Sequence, residues 1–244
     1  MCAAAAKADQ EARSENTILV GETRVRLVVM EVKAGTPGAF VYFHPHENEH
    51  GSAVVTRHAI RERGGRLVEI RSEGDRLITF RVKGATYSFD PNRMFTDIGL
   101  EHSLSHFGPS SPPAVECARL LRDAVIKQLG GGKTPIIAVH NNAEGDISVL
   151  AYRKGGALAE HAARVAVNPK EKPHNFFLVL DETIFKRLHH AGFNTVLQSP
   201  DSPDDGSLSV FCQQHNWPYI NIAAAESDIN QQQRMLESIP AVME

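Results

Sequence analysis

Blocks of apolar and polar positions follow one another along this chain, and the spacing inside each block changes from element to element. "TRVRLVVMEV" (Thr23 to Val32) is rich in β-branched residues and predicts a strand, and "KAGTPG" after it has the composition of a turn. "AFVYF" (Ala39 to Phe43) is a short unbroken apolar run, as expected of a strand covered on both faces. "GSAVVTRHAIRERGG" then takes helical spacing, with Ala53, Val54, Ala59 and Ile60 on one side and Gly64-Gly65 as its stop. "RLVEIRS" and "RLITFRVKGATYSFD" read as strands, the second as a hairpin or an extended edge.

Downstream the alternation becomes regular. "PPAVECARLLRDAVIKQLGGG" predicts an amphipathic helix, with prolines at its start and glycines past its end. "TPIIAVH" is the next buried strand, and "ETIFKRLHHAG" is a helix between the strands "NFFLVLD" and "NTVLQS". "SLSVFCQQHNW" predicts a helix, "PYINIAAA" the last strand and "INQQQRMLESI" a closing helix. Strands alternating with helices of this length imply an α/β fold. We expect a single three-layer α/β/α domain over residues 21–244 with a mixed, largely parallel sheet. Residues 1–20, Ala-rich at the start and polar, are expected to form a disordered N-terminal tail.

Composition narrows the classes. The 244 residues are 42% hydrophobic and 23% charged, with a formal net charge of -3. That balance gives no electrostatic case for nucleic acid as a partner, and no apolar run is long enough for a transmembrane helix. The cysteines Cys2, Cys117 and Cys212 lie too far apart in sequence to suggest a disulfide or metal framework. The opening Met-Cys leaves two localisations open. A lipoprotein whose signal peptide was replaced by a start methionine would face the cell envelope or periplasm, and otherwise the chain carries no targeting segment and stays cytoplasmic.

Chemistry enters at "HPHENEH". His44, His46, Glu47, Glu49 and His50 follow directly on "AFVYF", and in an open α/β sheet ligands bind beyond the carboxyl ends of the strands. "TPIIAVH" delivers His140 to the end of a second buried strand, followed by Asn141 and Asn142, which could orient it or touch substrate. Zinc takes imidazole nitrogen and carboxylate oxygen, and three such ligands leave a catalytic position open. His46, Glu49 and His140 make a set of this kind. A bland reading treats the histidines as hydrogen-bonded loop residues, and a different metal reading uses His44 and His46 on a barrel strand and leaves Glu49 free. "SFDPNRMFT" (Ser88 to Thr96) is a turn that would hold Arg93 rigidly, either in a structural salt bridge or as a carboxylate clamp. In "SPDSPDDGSLS", Asp205 and Ser207 read as helix caps.

Taken in order, "HPHENE", "DPNRMF" and a later strand ending in histidine resemble the zinc carboxypeptidase superfamily, which includes the metallocarboxypeptidases and the succinylglutamate desuccinylase/aspartoacylase branch. The resemblance spans roughly Val25 to Ala225. It implies zinc on His46, Glu49 and His140, and a substrate carboxylate bound by Asn92 and Arg93. An upstream arginine, Arg81 in preference to Arg76, would stabilise the oxyanion. The substrate would be a small peptide or an acyl-amino acid, cut at an amide bond beside a free carboxylate.

One position departs from that pattern. The resemblance implies a general-base glutamate two strand positions after Asn221, and the chain has Ala223 in "YINIAAAESD". Three readings stay open: Glu226 reaches in from the strand end, a glutamate at 223 has been replaced to give an inactivated enzyme, or the protein binds ligand without cutting it.

Overall fold

Two buried strands set the plan of the molecule. In β3 the side chains of Val41 and Phe43 join one hydrophobic cluster, and Tyr42 between them joins another on the opposite face. In β7 Ile136 and Ala138 point to the first cluster, Ile137 and Val139 to the second. A strand with apolar side chains on both faces must be covered twice, which explains the unbroken apolar runs. The computed structural model describes residues 11–33, 40–142 and 147–244.

Among the described residues the strands are β1 (Glu11–Val20), β2 (Thr23–Val32), β3 (Val41–His44), β4 (Gly65–Arg71), β5 (Ile78–Val82), β6 (Ala85–Phe89), β7 (Ile136–Asn142), β8 (Ala162–Ala166), β9 (Phe176–Val179), β10 (Asn194–Gln198) and β11 (Tyr219–Ala225). The helices are α1 (His50–Arg63), α2 (Asp97–Phe107), α3 (Pro112–Gln128), α4 (Glu182–His190), α5 (Leu208–Gln214) and α6 (Ile229–Met243). Nine strands form one sheet in the order β1-β2-β4-β3-β7-β11-β9-β10-β8, and β5-β6 form a separate hairpin. Leu100, Ala118, Leu121 and Phe211, from α2, α3 and α5, cover one face. Ile60, Leu188 and Leu236, from α1, α4 and α6, cover the other. The three-layer α/β/α expectation therefore holds.

The sheet is mixed. Its centre, β4-β3-β7-β11, is parallel throughout, whereas β1, β2, β8 and β9 each pair antiparallel with a neighbour. Parallel strands at the centre bring the carboxyl ends of β3, β7 and β11 to one rim. An open sheet with edges at β1 and β8 is not a barrel, which removes the fold behind the His44/His46 alternative.

Several expectations are corrected. The segment Glu11–Val20 is not a tail but an edge strand, paired residue for residue with β2. Most of its side chains are exposed, so backbone hydrogen bonds hold it and hydrophobic patterning gives no sign of it. Residues 1–10, with Cys2, and most of "KAGTPG" lie outside the described residues. On α1 it is Val55 that is buried, while Val54 is 59% exposed. Helix α2 was not anticipated; Thr96 caps it by accepting from Gly99 N at 3.1 Å. Gly99 is required there, since a Cβ would come within 2.0 Å of Gly206 Cα. No helix among the described residues is long and apolar enough to cross a membrane.

Candidate metal centre

His46 and Glu49 sit on the turn between β3 and α1, and the turn closes on itself through Glu49 N donating to His46 O at 3.1 Å. His44, at the end of β3, braces the turn: its Nε2 lies 3.0 Å from Glu49 O and 2.7 Å from Ser52 Oγ. Burial pushes the His44 imidazole down to about 4, so it is a neutral structural group. His140 arrives on β7, beside Ala223 of β11.

These placements bring His46, Glu49 and His140 together, all buried, with their ligand-capable atoms within 4.8 Å of one another. His46 Nδ1 lies 2.7 Å from Glu49 Oε1, and His140 Nδ1 lies 3.5 Å from Glu49 Oε2. His46 Nε2 donates to Asp90 Oδ1 at 2.8 Å. With Nε2 held by Asp90, Nδ1 faces Glu49, and either a ring proton or a metal ion can lie between the two. The donor set, its burial and the outer carboxylate on His46 all fit a divalent ion of the zinc type.

The electrostatics agree in direction. Burial alone would push the Glu49 carboxyl up, but His46 and His140 outweigh it and hold it well below the usual carboxylate range. Burial opposes a charge on His46 as well, yet Glu49 and Asp90 raise it above its ordinary value. His140 is lowered, chiefly by burial. Its Nε2 is buried and has no hydrogen-bond partner among the described residues.

Glu49 and His140 line a cavity of about 580 Å³ together with Arg76, Asn92, Arg93, Ala223 and Glu226, while His46 is fully buried beside it. Asp90 Oδ1 accepts from Asn92 N at 2.7 Å and so starts the turn that carries Asn92 and Arg93. Asn92 Oδ1 is a buried acceptor without a partner among the described residues. Arg93 donates to Asn92 O at 3.0 Å, and its Nε lies 3.7 Å from Asp205 Oδ2. Phe95 N donates to Gly206 O at 3.0 Å, which ties the two loops together.

One expected position changes, from Arg81 to Arg76. Arg81 is exposed on β5, where Ile78 and Phe80 take the inward positions of the alternation, and it does not reach the cavity. Arg76 does, donating to Glu49 Oε1 at 2.9 Å. Asn141, expected to orient His140 or touch substrate, lines the cavity, and its side chain also braces the fold: Oδ1 accepts from Ser52 N at 2.8 Å and Nδ2 donates to Gln232 Oε1 at 3.2 Å. Its backbone N–H holds Glu49 Oε2 at 3.0 Å. Ala223 is 3% exposed on the cavity side, and Glu226 is exposed at the rim, its N–H bonded to Asn142 O at 3.0 Å. Sequence reading missed Asp90 as the partner of His46 and Gln232 as a brace of β7. Asp90 stood inside the quoted turn, where its cap role hid the second bond.

No protein-family model matches the sequence, and no curated protein matches it. Among solved structures the chain is similar to a succinylglutamate desuccinylase from Vibrio parahaemolyticus, at 12% identity and TM-score 0.47, covering 95% of this chain and 77% of that one. An aspartoacylase family protein from Mesorhizobium loti aligns at 10% identity and TM-score 0.46, covering 94% and 66%. A metallo-carboxypeptidase from Pseudomonas aeruginosa, in complex with (2-guanidinoethylmercapto)succinic acid, aligns at 10% identity and TM-score 0.44, covering 98% and 66%.

Proposed function

We propose that the chain holds one zinc ion on His46, Glu49 and His140 and hydrolyses an amide bond beside a free carboxylate, in a small peptide or an acyl-amino acid. The observation that carries this reading is a buried set of two imidazoles and a carboxylate, of which Glu49 and His140 line one cavity with an arginine held on a rigid turn. A zinc ion on such a set would polarise a carbonyl and make a water acidic enough to attack it. Arg93 would take the substrate carboxylate through paired hydrogen bonds. Asn92 Oδ1, already desolvated, would accept an N–H from the same end of the substrate. Arg76 would swing from Glu49 toward the carbonyl oxygen as charge develops there. Glu226 is the carboxylate at hand for proton transfer, although it stands at the rim.

Ala223 favours a second reading, a protein that keeps the site and binds ligand without cutting it. A methyl group stands where a proton-transferring side chain would enter the cavity.

Metal analysis of the purified chain, with His46→Ala and His140→Ala beside it, tests the site. One zinc per chain in the wild type and none in either variant is expected; zinc retained by either variant overturns it. Hydrolysis of N-acyl amino acids that stops on chelation and returns with zinc selects the enzyme. Zinc-dependent ligand binding without turnover selects the second reading.

A further inference from the structure

The cavity continues past Arg93 to a wall formed by Tyr152, Gln198, Ser207, Ser209, Tyr219 and Asn221. All six carry hydrogen-bonding groups, and four are deeply buried: Gln198 and Tyr219 at 4% exposure, Ser207 at 7% and Ser209 at 8%. The fold uses these groups incompletely. Gln198 Nε2 donates to Gln213, whose own amide is fixed by donating to Ser199 O at 2.9 Å. The Gln198 carbonyl oxygen is left without a donor among the described residues.

Ser207 Oγ caps α5 by accepting from Val210 N and lies 3.0 Å from Ser209 Oγ. One hydroxyl proton joins the two serines, so the other is free to be donated. The Tyr219 hydroxyl and the Asn221 amide have no hydrogen-bond partner among the described residues. Burial raises Tyr152 to about 12 and Tyr219 well above its ordinary value, so both hydroxyls stay protonated donors.

The wall thus presents donors and acceptors together and no net charge. Asp205, on the same wall, is turned to Arg93 through Oδ2 and accepts from Ser207 N through Oδ1 at 3.0 Å. Leu158, Phe176, Leu178 and Val210 line the cavity too and can pack against the methylenes of a side chain. A wholly aliphatic or aromatic side chain would gain that contact but strip water from the polar groups, at about 1–3 kcal/mol for each group left unsatisfied. A cation would find its counter-charge already paired.

We infer that the carboxylate-bearing residue of the substrate has an uncharged side chain ending in a carboxamide. Such an end can accept from Tyr219 or Ser209 and donate to Gln198 or Asn221 at once. The inference rests on Arg93 holding the substrate carboxylate, as proposed above.

Calorimetric titration of the zinc-loaded chain with N-acetyl-glycine, N-acetyl-glutamine, N-acetyl-norleucine, N-acetyl-phenylalanine and N-acetyl-lysine tests it. N-acetyl-glutamine is expected to bind at least about tenfold tighter than N-acetyl-norleucine, the worth of one or two net hydrogen bonds. Asn221→Leu, and separately the milder Ser209→Ala on another element, should each shrink that preference by about threefold or more. Norleucine, phenylalanine or lysine derivatives binding as tightly as the glutamine derivative overturn the inference, as does a preference untouched by both variants. If N-acetyl-glycine binds and glutamine adds nothing, this inference alone falls. If no carboxylate ligand binds, the carboxylate reading falls with it.

Discussion

Ala223 stands directly beside His140 in the parallel register of β11 against β7, its methyl group on the cavity side. Asn221 and Tyr219, two and four residues earlier on the same strand, line the same cavity, as strand alternation requires. A longer side chain at 223 would therefore enter the cavity next to the proposed metal ligands.

From that register follows a gain-of-function prediction. Ala223→Glu should raise the rate of N-acyl amino acid hydrolysis by about 10²–10⁴-fold, the usual worth of a positioned general base. Zinc content, measured in parallel, should not change. A variant that keeps its zinc and gains no rate would show that position 223 does not carry the proton.

Removing the proposed clamp should separate recognition from metal binding. Arg93→Ala is expected to weaken binding of an N-acetyl amino acid by about 10–100-fold, as for loss of a charge-assisted pair. The corresponding methyl ester, which lacks the anionic oxygen, should bind wild type and variant alike. An equal loss for acid and ester would assign Arg93 a purely structural role.

Glu47 accepts from both Ser72 N and Gly74 N, and so pins the loop that leads to Arg76. With Glu47→Gln the charge-assisted bonds become neutral, and exchange of the buried Ser72 amide should quicken by about tenfold. Zinc should remain bound. Unchanged exchange at Ser72 would mean that the loop is held by other contacts.

Asp228 caps α6, the helix whose Gln232 donates to His140 O at 2.9 Å and braces β7. The bond from Lys172 holds the Asp228 carboxyl below its ordinary 3.8, against a partial opposing effect of burial. A lowered acid contributes its stability above the ordinary value and loses it as pH falls through the folded one. Asp228→Ala should therefore cost about 1 kcal/mol near neutral pH. In urea denaturation the gap from wild type should narrow as pH drops below 3.8. A gap of constant size at every pH would leave no role for the charge.

Much of the site was legible because it lies where strong local signals end. "AFVYF" and "TPIIAVH" are apolar runs of strand length, so the histidines after them had to fall at strand ends, and parallel pairing at the sheet centre brought both to one rim. Arg81 and Arg76 were not separable in this way. The hairpin β5-β6 begins at Ile78, and only its alternation, with Phe80 inward, turns Arg81 out. Strand β1 was hidden because its polar, exposed residues carry no periodicity, and its partner β2 supplies the hydrogen bonds. Helix α2, in "DIGLEHSLSHF", mixes glycine, serine and histidine and has a weak apolar face, so its cap at Thr96 was its best mark.

Asp90 Oδ1 receives both the His46 ring and the first amide of the turn bearing Asn92 and Arg93. A single oxygen atom is therefore the common datum from which ion and recognition arm are both measured. A change that tilts one tilts the other, so a descendant of this protein cannot adjust its reach for new molecules from that side without disturbing the ion. Diversification is channelled instead to the far wall, at positions such as 198, 209 and 221, which carry no such shared reference.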